Sequence, residues 1–386
     1  MKTIAGINII KIRLVITGIV LSTIFSCDNS SSAQESHSAD KSKRSIKLAI
    51  LLDTSNSMDG LIEQAKSQLW SIVNELSRAE CDNTKPELKI ALYEYGNDNL
   101  PSGEGYIRMV TPLTTDLDKI SDDLFSLRTN GGQEYCGQVI STALKELDWS
   151  VSSKDYQVMF IAGNEPFTQG NTSYQKACGE AVRKGVIVNT IFCGDFNEGI
   201  NTSWKGGADI TGGNYFSINH NRKTVYIETP YDKQISALNS ALNNTYIYYG
   251  VHGVEKKELQ SRQDKNAASY GMANEVNRAV SKSSHVYKNS SWDLVDASEE
   301  EDFTVGKLKD EQLPAEMQKM DDAERTKFIE EKKAERERIK KEINTLNTKR
   351  SEYLASRDNK SNDGMLDDAM LTSIKKQANN KNFQFK

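Results

Sequence analysis

Residues 46–58 read Ile-Lys-Leu-Ala-Ile-Leu-Leu-Asp-Thr-Ser-Asn-Ser-Met, and their reading decides the fold. The run up to Asp53 is almost wholly apolar, does not alternate, and is too short for a buried helix. It predicts a strand covered on both faces. Asp53, Ser55 and Ser57 then form an Asp-x-Ser-x-Ser triplet. A helical pattern follows at Leu61, Ile62, Ala65, Leu69, Ile72, Val73 and Leu76. A strand that stops in a polar loop just before a helix marks the carboxyl edge of an α/β sheet, where open sheets bind ligands.

The triplet suits a hard divalent cation. One carboxylate and two hydroxyls are oxygen donors, and Mg²⁺ takes oxygen ligands in octahedral geometry while keeping several waters. So few protein charges leave such an ion net positive, with room for an acidic group from a partner. The other reading is a Ser-rich loop that caps the next helix, a place where Ser and Asp are favoured in any case.

Asp53-Thr54-Ser55-Asn56-Ser57 resembles the metal-ion-dependent adhesion site of the von Willebrand factor type A family. The resemblance covers residues 45–249. It implies an α/β, Rossmann-like domain that binds protein ligands through a Mg²⁺, Mn²⁺ or Ca²⁺ ion, Mg²⁺ first among them. The family's second loop has Gly-Gly-Thr, with the Thr as metal ligand. Here residues 128–137 read Arg-Thr-Asn-Gly-Gly-Gln-Glu-Tyr-Cys-Gly, with Gln133 directly after the glycines. Aligning on Gly137 puts Glu134 in the Thr position, and Thr129 is a further candidate. The family's third loop has Thr-Asp-Gly. This chain has Ala162-Gly163-Asn164-Glu165-Pro166, so Asn164 or Glu165 would supply an oxygen, directly or through water. The implied ligand set is Asp53, Ser55, Ser57 and Glu134, with Gln133, Thr129, Asn164 and Glu165 around it. The alternatives are that Glu134 only occupies a helix's first turn, where an acid is favoured, and that the domain keeps the fold without the ion.

Further strand patterns lie at residues 88–95, 106–113, 157–162, 186–192 and 213–218, with helical patterns at 117–127, 139–147 and 174–184. This alternation predicts a mostly parallel central sheet flanked by helices, with right-handed crossovers. Pro112 assigns its strand to an edge. Residues 235–249 read as the last helix of the domain.

At the amino end, Lys2, Lys11 and Arg13 precede a short apolar run that closes in Ile24-Phe25-Ser26-Cys27. This is a signal peptide over residues 1–26. The ending resembles a bacterial lipobox, which implies cleavage before Cys27, lipidation of its sulfur, and membrane attachment through the acyl chains. Residues 27–44 are polar and aperiodic, as expected of a flexible tether. Export leaves Cys81, Cys136, Cys178 and Cys193 in an oxidising compartment, where one or two disulfides or buried thiols are the alternatives. No Cys-x-x-Cys pair suggests zinc.

The chain has 386 residues and a net charge of −5, which is no match for a nucleic-acid partner. Its mean hydropathy of −0.60 fits one packed domain plus long solvated helices. Residues 250–309 read as a helical appendage. Residues 310–357 are dominated by Glu, Lys and Arg, with a narrow apolar stripe through Met317, Met320, Phe328, Ile339, Ile343, Leu346 and Tyr353. That predicts one long helix, either in a partly coiled-coil region able to form a homo-oligomer or packed on its own chain. Residues 358–386 read as a mostly disordered tail with one short helix.

The four histidines show no ligand spacing, and Gly-x-Ser-x-Gly is missing. The whole resembles von Willebrand A lipoproteins of Gram-negative, Bacteroidetes-like envelopes. The expected function is a lipid-anchored, non-catalytic adhesion protein of the cell envelope, at the outer membrane, engaging a protein or peptide carboxylate. A metal-free envelope scaffold acting through the tail is the second reading. A metal-assisted hydrolase, which only Asp53 and the loop carboxylates suggest, is the third.

Overall fold

The computed structural model describes residues 44–357 and 365–385. The expected signal peptide, Cys27 and all of the tether but Arg44 lie outside the described residues. Eight strands run in chain order: β1 (Ser45–Asp53), β2 (Ala79–Glu80), β3 (Glu87–Tyr95), β4 (Ile107–Thr114), β5 (Tyr156–Gly163), β6 (Ile187–Phe192), β7 (Tyr215–Ser217) and β8 (Gln384–Phe385). Six of them form one sheet in the order β4-β3-β1-β5-β6-β7. Every pairing is parallel except that of β3 with β4. β4 is therefore an edge strand, which is where Pro112 needs no ladder partner for its nitrogen.

β1 lies at the centre, and all nine of its residues are buried. Ile46, Leu48, Ile50 and Leu52 enter one core, and Ala49 and Leu51 the other. An apolar run without alternation thus feeds two layers at once. On one face lie α1 (Asp59–Leu76) and α2 (Leu117–Ser126); on the other, α3 (Cys136–Glu146) and α4 (Tyr174–Arg183). α5 (Phe196–Asn201) and α6 (Trp204–Thr211) follow β6. Trp204 is buried against Phe167 and Phe192, a packing aromatic rather than a ligand surface.

α7 (Asp232–Asn243) follows β7 and packs against the helices that come after it. The apolar spacing after Asn243 belongs to an extended stretch, where Ile247 packs in a separate small core. Residues 256–295, one helical pattern in the sequence, form α8 (Gly253–Ser269), α9 (Met272–Ser283) and the short α10 (Leu294–Ala297). Gly271, at φ +97°, separates the first two, a backbone angle open to Gly at little cost.

The charged segment starts its long helix later than residue 310. The long helix is α11 (Asp322–Ala355), opened by a capping box in which Asp321 and Glu324 bond each other's backbone amides. Its buried stripe is Arg325, Ile329, Arg336, Ile339, Ile343, Leu346 and Arg350. Met317 packs ahead of the helix, in the small core with Ile329. The stripe docks on this chain's own α7, α9 and α10, so the coiled-coil geometry is not what the described residues adopt. Buried arginines find partners there. The Arg336 guanidinium donates to Asp293 at 2.6 Å, Asp296 at 2.8 Å and Thr245, and lies over the Tyr246 ring at 4.0 Å. Arg350 donates to Asp232 at 3.0 Å.

Of the expected loose tail, residues 365–385 are instead part of the core. They form α12 (Leu366–Asn379) and β8, which pairs with β2. Leu366, Met370, Ile374 and Phe383 are buried in the α1 core. Gln377 joins Tyr156 and Asn189 in a buried hydrogen-bonded trio. The Asn- and Lys-rich composition hid a narrow apolar face. The four cysteines among the described residues are buried free thiols, Cys81 and Cys193 in one core and Cys136 and Cys178 in the other.

Candidate metal centre

Three loops converge at the carboxyl edge of the sheet. β1 ends at Asp53, whose Oδ1 accepts the Ser55 amide at 2.8 Å. That turn aims the triplet across the end of the strand. The Ser55 and Ser57 hydroxyls lie 3.3 Å apart. Ser57 Oγ in turn contacts the Asn164 amide group, with Nδ2 at 3.2 Å. Asn164 belongs to the loop after β5, and its backbone amide also serves the Asp53 carboxylate.

The loop of residues 127–135 supplies Glu134. Asn130 N–H donates to Thr54 at 3.0 Å, and Asp98 N–H to Gly131 at 2.9 Å. The Glu134 amide donates to the Gln169 side chain at 2.7 Å. Two glycines make room. Gly96, at φ +79°, follows β3, and a Cβ on it would lie 2.6 Å from Glu134 Cγ and 2.9 Å from Asp53 Oδ1. A Cβ on Gly132 would meet the Gly96 carbonyl at 2.1 Å. The adjacent glycines in the second loop thus serve close backbone approach, and the carboxylate two residues on enters the site.

Asp53, Ser55 and Glu134 are buried, while Ser57 and Gln133 are exposed. Gln133 thus faces solvent, as Ser57 does. Thr129 is spent elsewhere, because its hydroxyl donates to Asp59 at the start of α1. Glu165 is half-buried, and its charge acts on both carboxylates. Sequence reasoning missed Gly96 and Gln169. Gly96 left only the weak signal of a glycine directly after an apolar strand, and Gln169 left none.

The electrostatics are those of a site short of positive charge. Burial, and secondarily Glu165, pushes the Asp53 carboxyl up to about 7, against the opposing pull of the Ser55 amide and hydroxyl. Burial, then the charges of Asp53 and Glu165, pushes Glu134 up to about 8. Asp53 Oδ2 and Glu134 Oε2 are both buried with no hydrogen-bond partner. Buried polar atoms are nearly always satisfied, so two such orphans side by side call for an explanation. Among the described residues, no group of three or more His, Cys, Asp or Glu side chains is arranged to hold a metal. The donors here are two carboxylates and two serine hydroxyls, an all-oxygen set that fits a hard divalent cation.

Residues 47–207 match the family model of the von Willebrand factor type A domain. This segment has the von Willebrand factor type A fold. The chain is also similar to several solved structures. BatB from Bacteroides thetaiotaomicron is 16% identical, with 45% of this chain and 90% of that one covered and a TM-score of 0.34. An aerotolerance-related membrane protein from Bacteroides fragilis is 16% identical, with 46% and 93% covered and a TM-score of 0.31. The SpRpn10 VWA domain is 17% identical, with 45% and 87% covered and a TM-score of 0.35. No curated protein matches the chain. Von Willebrand A domains are generally non-catalytic modules of protein interaction, and many bind a divalent metal at the edge described above.

Proposed function

We propose that this von Willebrand A domain is a non-catalytic adhesion module that engages a carboxylate of a protein or peptide partner through a divalent cation. Asp53, Ser55, Ser57 and Glu134 would hold the ion, Mg²⁺ in the first instance, with Asn164 and Glu165 acting at its rim. The ion would supply a Lewis-acidic position for the incoming acid. The observation that carries this reading is the pair of orphaned oxygens, Asp53 Oδ2 and Glu134 Oε2, buried together without a counter-charge. A divalent cation would satisfy both oxygens, and its open coordination position would take the incoming acid.

The helical region supports an adhesive role over a scaffold one. A scaffold needs a helix free to pair, and the α11 stripe is already occupied by its own chain. The lipid anchor at Cys27 and an envelope location complete the proposal. They rest on the amino-terminal sequence, and labelling with radioactive palmitate, lost in Cys27→Ala, tests them.

Calorimetry with Mg²⁺ and Mn²⁺ on the folded protein tests the site. The wild type is expected to bind one equivalent, and Asp53→Ala none, with an unchanged circular dichroism spectrum. Undiminished Mg²⁺ binding by Asp53→Ala would refute the assignment.

A further inference from the structure

The helices appended after the family segment reach the metal-bearing edge. The α8–α9 turn carries Tyr270, whose hydroxyl donates to Glu63 of α1 at 2.6 Å. Its ring meets Phe125, in the last turn of α2, edge to face at 5.4 Å and 88°. Between these elements lies a groove of about 640 Å³. It starts at Asp59, two residues past Ser57, where the Thr129–Asp59 hydrogen bond forms the wall towards the triplet.

The lining says what fits. Its charges are Asp59, Glu63, Lys66 and Arg128, two of each sign. They are largely spent on one another and on the backbone. Lys66 pairs with Glu63 at 3.4 Å. Arg128 donates to the carbonyls of Phe125 and Leu127. Asp59 accepts the Thr129 hydroxyl. A charged guest therefore gains little here. The rings of Phe125 and Tyr270, already edge to face, extend naturally to a third ring, the arrangement that aromatic quadrupoles favour.

We propose that this groove takes an aromatic side chain of the same partner whose carboxylate meets the metal site. The inference rests on the adhesive reading and adds the partner's second determinant. Tyr270 lies outside the residues matched to the family, so the specificity would be this chain's own.

The test uses the full chain with saturating Mg²⁺ and a panel of capped pentapeptides. Each has a central Asp, and either Phe or Ala at one of the other four positions. Calorimetry is expected to show a Phe-containing member binding about tenfold tighter than its Ala counterpart, the order set by one aromatic contact. Tyr270→Ala should erase that preference, Tyr270→Phe should keep it, and Mg²⁺ affinity should be unchanged in both. A flat panel, or a preference that survives Tyr270→Ala, overturns the groove assignment while leaving the metal reading intact. Failure of the wild type to bind Mg²⁺ at all sinks the metal reading. In that case N-acetylphenylalaninamide, titrated against the same protein with the Tyr270 and Phe125 ring signals followed by NMR, still decides the groove. Shifts that vanish in Tyr270→Ala support it, and none in the wild type overturns it.

Discussion

Asp53 and Glu134 are both buried, and the charge of Asp53 acts on Glu134. Both carboxyls are pushed up, by burial first, to about 7 and about 8 from ordinary values of 3.8 and 4.5. Between roughly pH 4 and 8 these groups bind more protons in the native than in the unfolded state, so their contribution to stability falls as pH rises. Metal-free wild type should therefore lose thermal stability relative to Asp53→Asn over that window. Mg²⁺ should raise the Tm at pH 8 and have little effect at pH 5. Thermal scans with EDTA or Mg²⁺ read both outcomes. Gly96→Ala gives a second residue-scale prediction. The new Cβ meets Glu134 Cγ at 2.6 Å, and the φ of +79° disfavours any L side chain. A destabilisation of about 1–3 kcal/mol in urea melts is expected from the backbone strain, together with weakened Mg²⁺ binding. Neither consequence was visible in the sequence, because the close approach of β3's end to the Glu134 loop is a contact between distant segments.

At the scale of elements, the strand–triplet–helix unit was legible because its cause is local. An uninterrupted apolar run, a polar turn and a 3.6-residue period occur within about thirty residues, and β1 and α1 follow them closely. α11 was legible as a helix and illegible as to what it touches. Its stripe carries Arg325, Arg336 and Arg350 at positions that a free coiled coil would fill with apolar groups. In the folded chain Arg336 and Arg350 meet acids from distant segments, while Arg325 pairs with the nearby Asp310. Arg336→Ala would leave Asp293 and Asp296 buried without their cation. Breaking a buried pair in this way costs about 3–5 kcal/mol, and the loss should appear as a lower urea midpoint. Arg338→Ala on the exposed side of the same helix, where the pair to Glu342 is solvated, should change stability by less than about 1 kcal/mol.

For the whole molecule, the segment after α11 closes the core that β1 opened. Leu366, Met370, Ile374 and Phe383 pack with Ile50, Leu52 and the α1 side chains. Arg44, just ahead of β1, lies over the Phe383 ring at 4.8 Å and donates to the Lys381 carbonyl. Arg44 and the segment around Phe383 are thus joined at the sheet edge remote from Asp53. Deleting residues 365–386 would expose the surface they cover and remove four large apolar side chains from this core, each contributing about 1.5–3 kcal/mol when buried. That sum is comparable with the whole stability of a typical domain. The truncated protein is expected to bind the dye ANS and lose its cooperative melt, both measurable by fluorescence.

By itself the sequence determined the α/β class, the central strand and the triplet, because backbone propensity and side-chain period are properties of neighbouring residues. It also carried Glu134 as a candidate, through the family resemblance with the second loop aligned on Gly137. Only the tertiary structure decided that Gln133 faces solvent, that Thr129 is occupied by Asp59, and that the carboxyl-terminal segments are packed rather than loose. Those outcomes depend on which distant surfaces meet. A polar helix with a thin apolar face looks solvated until the acids and the cavity that receive it are in place.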